Sequence, residues 1–426
     1  MSRRLRDKSR VRRHQFPLLL VQLCILLRLE GGCSYRKVIA VLKVLSLCGI
    51  LEISRYPCSN TVQNWVSKLG LYSLQNVDSE LRGQEVVLIV DESIRKGKEK
   101  QLLILSTPYE QSEAQPLTFD QVQVVYFGGR QNWNGELIQE KLKKLEADMG
   151  FRIKAILSDE DSKLKRASRL LSIPHLNDIC HAIGTCLRRT FEKDCDYQCF
   201  MKEVSGYRCK GVNQDLSYLL PPNQRSKARF LNQAALVKWA EKLLKNFEQL
   251  SDKEKAFFKA LPNHHRVINA LKSCIAIAKE IALPLKQQGL SLELLKMLRI
   301  RIAVMTKLQV FDTGGFLSIF LKHLDSYMIA YQDFMKQQSG TNIPVSSEII
   351  ESLFGKYKGL SSPNKIVATT KLNLEIPAIC RRTRNETYQV QQALEHIFVT
   401  DLEDWVEKHS SHNQLVARRN FFKNGT

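Results

Sequence analysis

Two apolar runs in this sequence end in an acid: Glu85 to Asp91, rich in Val and Ile, and Arg152 to Asp159. Each reads as a buried strand carrying a carboxylate to its tip, and a charge there must be solvated, paired or bound to a metal. If the two strands are neighbours in one sheet, Asp91 and Asp159 meet at the same edge. A third acid is offered by the segment from Pro344 to Lys358, a capped helix with Glu348 and Glu351 three residues apart on one face. Three carboxylates drawn together repel and raise one another's pKa, so such a cluster is stable mainly around divalent cations. Two hard ions held by oxygen ligands activate a water or a 3′ hydroxyl and stabilise the leaving oxygen of a phosphodiester. Ser158-Asp159-Glu160-Asp161 leaves Asp161 as an alternate for Asp159, which strand geometry favours, and Glu348 stands as the alternate for Glu351.

The composition agrees with that chemistry. Lys and Arg number 64 against 43 Asp and Glu, a formal net charge of +21, which points to a polyanion, most plausibly nucleic acid. At 426 residues, 44% hydrophobic and 25% charged, the chain is globular and long enough for two or three domains. The longest apolar run, Phe16 to Leu29, is broken by Gln22 and Arg28 and is too short to span a bilayer, so no membrane partner is expected and a cytoplasmic protein is. Eleven cysteines without C-x-x-C pairs suggest reduced thiols. Cys195, Cys199 and Cys209 with His181 fit no standard zinc spacing.

The elements that must position the acids read as follows. A basic arm with Arg3, Arg4 and Arg6 precedes three helices: one to about Leu29, one capped by Ser34, and one capped by Ser59 or Asn60 and stopped by Gly70. On the third, Val62, Trp65, Val66 and Leu69 form a buried face, leaving Thr61, Gln63, Asn64 and Lys68 outward as in a recognition helix for a major groove. Strands follow over 85 to 91, 101 to 106 and 121 to 127, then a helix from Asn134 to Met149, the strand ending at Asp159, a helix over 162 to 171 and a short strand over 174 to 179. Every segment that can be phased between Asp194 and Gly340 is helical, and a basic tail carries one more helix from Glu386 to Lys408. Trp133 is either core or a platform for a displaced base.

In order and spacing these motifs resemble the RNase H-like core of the DDE transposases of bacterial insertion sequences, over nearly the whole chain. Asp91 follows the first strand, Asp159 the fourth, and Glu351 lies on a late helix. The segment from Asn60 to Gly70 resembles the helix-turn-helix that precedes such cores, and Asp178-x-x-His181 is similar to a pair that many members carry after the second acid. The resemblance implies an α/β fold, an RNase H-like mixed sheet flanked by helices, with an N-terminal helix-turn-helix domain and a large all-α insertion. The implied division is 1–78 basic arm and DNA-binding domain, 79–194 core, 195–340 insertion, 341–380 final Glu-bearing helix and 381–426 basic tail. It also implies that Asp91, Asp159 and Glu351 bind two Mg²⁺ ions, for which Mn²⁺ can substitute, and that Lys358 touches a phosphate near the cleaved end. His181 either positions a metal-bound group or caps the helix that follows. The implied partners are double-stranded DNA, as transposon ends and target, and a second copy of the chain on that DNA, in a bacterial, nucleoid-associated setting. Two other readings stay open: a non-catalytic DNA-binding derivative of such a protein, and a structure-selective nuclease of the same fold.

Overall fold

The structure is a computed structural model that describes residues 11–12, 14–76, 81–96, 99–110, 115–212, 215–223, 230, 233–308, 315–337, 342–360, 369–381, 386–409 and 421–422. It divides into two compact units, one of Met1–Tyr109, Leu117–His175 and Ser347–Thr426, the other of Glu110–Pro116 and Leu176–Ser346. In chain order the elements are α1 (Leu18–Leu29), α2 (Tyr35–Leu47), α3 (Ser59–Gln75), β1 (Glu85–Lys96), β2 (Glu99–Pro108), β3 (Gln123–Arg130), α4 (Gly135–Met149), β4 (Arg152–Ser158), α5 (Ser162–Leu171) and β5 (His175–Asn177). Seven helices follow among the described residues: α6 (Ile179–Phe191), α7 (Cys195–Gly211), α8 (Gln233–Lys245), α9 (Asp252–Phe258), α10 (His265–Gln288), α11 (Leu292–Leu308) and α12 (Phe316–Gln337). The chain then returns to the first unit with α13 (Glu348–Leu360), α14 (Glu375–Arg381), α15 (Glu386–His396) and α16 (Val399–His409).

The apolar run from Val86 to Val90 becomes the middle of a five-stranded mixed sheet of order β3-β2-β1-β4-β5. β1 pairs antiparallel with β2 and parallel with β4, and all five residues of the run are buried because both faces of the sheet are covered. On one face Val86, Leu88 and Val90 pack with Leu102 and Ile104 of β2 against Ile138 and Leu142 of α4 and Leu164 of α5. At roughly 1.5–3 kcal/mol for each such side chain, this cluster is a main source of the unit's stability. Elsewhere in the unit α14, α16 and α3 pack against β3, and α13 packs against β1.

Three local expectations are corrected. β1 does not stop at Asp91: β2 goes on pairing with it, and one extra residue bulges out of β1 between Asp91 and Ile94. α3 does not stop at Gly70 but runs to Gln75, because this glycine gives room for another backbone. A Cβ there would lie 1.9 Å from the Leu374 carbonyl oxygen, in a short 3₁₀ turn (Lys371–Leu374) that crosses the helix. The tail helix is two helices, α15 and α16, separated at Ile397 and Phe398.

Helices α1 to α3, expected to stand apart over 1–78, lie in the unit that holds the sheet. The expected helical stretch matches α8 to α12 to within a few residues at most ends. No helix among the described residues is long and apolar enough to cross a membrane.

Candidate active site

Strand register decides whether the two strand acids meet. The parallel pairing of β1 with β4 runs through Val87 with Ala155, Leu88 with Ile156 and Ile89 with Leu157. Asp91 and Asp159 each lie two residues beyond that last pair, Asp91 within β1 and Asp159 just past the end of β4. Alternation turns Asp91 away from the face on which Val86, Leu88 and Val90 meet α4 and α5. Both acids are half-buried.

The turn after β4 also separates Asp159 from its alternate. Asp161 caps α5, its Oδ1 accepting from Lys163 N at 2.8 Å, while Asp159 Oδ1 accepts from Asp161 N at 3.2 Å. Behind Asp159, Ser158 Oγ donates to the Asp159 carbonyl at 2.9 Å and lies 2.8 Å from His175 Nε2. Burial, then the charge of Lys165, pushes the His175 imidazole down to about 4, so it is neutral at neutral pH.

The residue after Asp91 belongs to a cluster that the sequence did not announce. Glu92 Oε1 pairs with Lys100 Nζ at 3.2 Å and with Lys163 Nζ, linking β1 to β2 and to α5 across the bulge. Burial works to lower the Lys163 ammonium's pKa, but the hydrogen bond and charge of Glu92 outweigh it and hold the pKa above the usual lysine range. Glu92 carried no sequence signal of these partners, which come from positions 8 and 71 residues away.

Glu348 and Glu351 stand exposed in the first turn of α13, whose Ile349, Ile350, Leu353, Phe354 and Tyr357 are buried. Lys358 is also exposed, two turns beyond Glu351 on the same side of the helix. Among the described residues, no three His, Cys, Asp or Glu side chains converge closely enough to hold a metal ion. Pairing of β1 with β4 sets Ile89 beside Leu157, two residues before Asp91 and Asp159. These two acids are hard oxygen donors of the kind Mg²⁺ or Mn²⁺ takes, and two anions drawn together gain from a cation between them.

What positions α13 is a buried polar knot. Arg28 of α1 donates from Nε and Nη2 to Glu375 of α14 at 2.9 and 2.8 Å, and from Nη2 to the Leu360 carbonyl at the end of α13 at 2.8 Å. Tyr35 OH also donates to Glu375, and burial followed by that carboxylate pushes the phenol's pKa up. Arg28 and Glu375 are almost wholly buried. Arg28 showed in the sequence only as a break in an apolar run, and nothing nearby pointed to a partner 347 residues later.

The face of α3 expected to be outward is not left free. Lys68 is 7% exposed, and burial lowers its pKa, with Asp401 of α16 opposing. Asn64 Oδ1 accepts from Lys371 Nζ at 2.7 Å, and Ser67 Oγ donates to the Lys371 carbonyl at 3.0 Å. Thr61 Oγ1 lies 3.1 Å from Cys58 Sγ, and Gln63 is half-buried. Helices α14 and α15 and the 3₁₀ turn pack against α3. The correction has a physical cause: periodicity shows which face is apolar, whereas segments 300 residues on decide what covers the rest.

The remaining expected residues are placed as follows. Arg3, Arg4 and Arg6 lie outside the described residues. Asp178 caps α6, accepting from the backbone N–H of His181 at 2.8 Å, so the acid is the capping side chain and His181 supplies the donor. Both belong to the helical unit. Cys195, Cys199 and Cys209 are exposed free thiols on α7. Trp133 is core: it is 4% exposed, and its Nε1 donates to the Lys100 carbonyl at 3.0 Å.

No protein-family model matches the chain, and no curated protein matches it. Among solved structures it is similar to a chain of the Drosophila P element transposase strand transfer complex, at 14% identity and a TM-score of 0.42, over 88% of this chain and 94% of that one.

Proposed function

We propose that this chain is a metal-dependent DNA strand-cutting and strand-transferring enzyme, a transposase with an RNase H-like sheet. The observation that supports the reading is the parallel register of β1 on β4, which runs to Ile89 and Leu157, two residues before Asp91 and Asp159, with α13 packed against β1. In this reading Asp91 and Asp159 hold the divalent cation, and Glu351, or Glu348 in its place, completes the set when DNA is bound. A cation held there supplies Lewis-acid polarisation of the scissile phosphate and lowers the pKa of a bound water. Lys358, two turns beyond Glu351, offers its ammonium to a phosphate beside the cut. No covalent protein intermediate is required, so the freed 3′ hydroxyl attacks target DNA directly. Two such ends cut together call for two copies of the chain.

A second reading is favoured by a specific observation. Because no three His, Cys, Asp or Glu side chains among the described residues group so as to hold a metal ion, a DNA-binding protein that keeps the sheet as scaffold accounts for the same geometry. One experiment separates the two: nicking of duplex DNA carrying the repeats that flank the gene, in Mg²⁺ or Mn²⁺. The enzyme reading expects nicking that Asp91→Ala abolishes while DNA binding is retained. Wild-type binding without any nicking supports the scaffold reading instead.

A further inference from the structure

Cations from three segments far apart in the sequence converge on β3, the outer strand of the sheet. Arg130 ends the strand, exposed, with its guanidinium 5.6 Å from the centroid of the Trp133 ring. Lys141 of α4 sets its ammonium 4.5 Å over the Tyr126 ring, and Lys144 follows on the next turn. From α16 come Lys408, exposed, and His409, whose ring stacks on Trp405 at 4.8 Å and lies 6.3 Å from that of Tyr126. His409 rests directly on the strand, because a Cβ on Gly128 would come within 2.5 Å of its Cδ2.

Bringing like charges together costs free energy, and the faces of Tyr126 and Trp133 offset only part of it. The groups facing His409 are Arg130 and Tyr126 of β3, Lys141 of α4, and Trp405 and Lys408 of its own helix; its Nδ1 lies 2.8 Å from the Trp405 carbonyl oxygen. Burial, then Lys141, Lys408 and Arg130, holds the imidazole's pKa down, opposed by that carbonyl. Burial, then Lys144 and Arg130, does the same to Lys141, opposed by Glu140 and Asp148 of α4. Four cations and a histidine held against their own repulsion are a surface awaiting an anion with several charges in a row.

We propose that this edge, formed by Arg130, Lys141, Lys144, Lys408 and His409, is a docking strip for the phosphate backbone of duplex DNA. Trp133 is buried and Tyr126 half-buried, so the rings order the cations and are not exposed for stacking on bases. The strip therefore grips without reading sequence. It shares with the functional reading above the premise that DNA is the partner, and it is separate from the acid pair.

The test is binding of the full-length protein to a fluorescent duplex of random sequence, titrated across salt at two pH values. Each cation removed from a phosphate contact lowers the slope of log K against log salt by about 1, so Arg130→Gln/Lys141→Gln/Lys144→Gln is expected to lower it by about 3 and to weaken binding at least tenfold near 0.1 M salt. Phosphates that neutralise the neighbouring cations favour the protonated imidazole, so binding takes up a proton at His409. Wild-type affinity is then expected to rise between pH 7.5 and 6 by more than that of His409→Gln. A triple variant with native circular dichroism and wild-type slope overturns the strip. Should the triple variant not fold, Lys144→Gln and Lys408→Gln singly, both at exposed positions, decide it: a smaller slope in each supports the strip, and a wild-type slope in both overturns it. Wild-type protein that binds no DNA overturns the functional reading together with the strip, whereas wild-type binding that the variants leave intact overturns the strip alone.

Discussion

The stretch of β1 around Asp91 and the polar face of α3 carry equally suggestive residues, and the fold treats them in opposite ways. In β1, hydrogen-bonded register sets Ile89 beside Leu157, two residues before Asp91 and Asp159. On α3, Asn64 and Lys68 are drawn inward by Lys371 and by the helices that follow it. The difference is one of what determines placement. A strand acid's neighbour is set by backbone pairing that a buried apolar run specifies strongly. A helix's polar face is whatever later segments leave uncovered.

The largest expected effect breaks the comparison on the strand side. Asp91→Asn or Asp159→Asn is expected to cut metal-dependent nicking by on the order of a thousandfold, since a metal ligand supplies several kcal/mol of transition-state stabilisation, while duplex affinity stays within twofold. Comparable losses in both variants support a shared ion; a loss in only one would separate the two acids.

Next comes the knot that ties the helical side of the unit together. Glu375→Ala strands the Arg28 guanidinium in the interior and is expected to lower stability by about 3–5 kcal/mol in urea unfolding. Replacing both members by apolar residues of similar size is expected to recover much of that loss. A small effect of Glu375→Ala would mean that α1, α13 and α14 are not held as described.

His175, whose Nε2 lies 2.8 Å from Ser158 Oγ, makes the end of β4 sensitive to acid. Its folded pKa, about 4, lies below the ordinary value near 6.5, so the unfolded chain binds a proton that the folded chain refuses. Stability is therefore full above about pH 6.5 and falls as pH drops towards 4, by up to roughly 3 kcal/mol. Unfolding midpoints of wild type and His175→Gln, compared at pH 7 and 4.5, check the sign: the variant's midpoint should fall less.

The smallest effect sharpens the contrast from the α3 side. Asn64→Ala removes the acceptor for Lys371 and is expected to cost about 1 kcal/mol of stability while leaving affinity and sequence preference for duplex DNA unchanged. A recognition helix would behave the other way, losing roughly 1–3 kcal/mol of base discrimination with little change in the unfolding midpoint.

Much of the architecture was legible in the residues. The runs ending at Asp91 and Asp159 announced buried strands, Ser34 announced a cap that accepts from Lys37 N, and periodicity alone located α8 to α12. Gly70 was misread because a glycine that ends a helix and one that admits a crossing backbone look alike until the crossing segment, here Leu374, is in place. Glu92, Lys100 and Lys163, and likewise Arg28, Tyr35 and Glu375, carried no local signal because an ion pair has no periodicity.

By itself, then, the chain's pattern of apolar and polar residues determined which segments are strands and helices, which faces are apolar, and that Asp159 follows directly on a strand. Local hydrogen bonding and side-chain periodicity act over a few residues and are written there. Only the tertiary structure decided that β4 lies beside β1, that Arg28 meets Glu375, and that Lys68 on the polar side of α3 is buried. Each of these depends on contacts between segments tens to hundreds of residues apart, set by the packing of the whole unit.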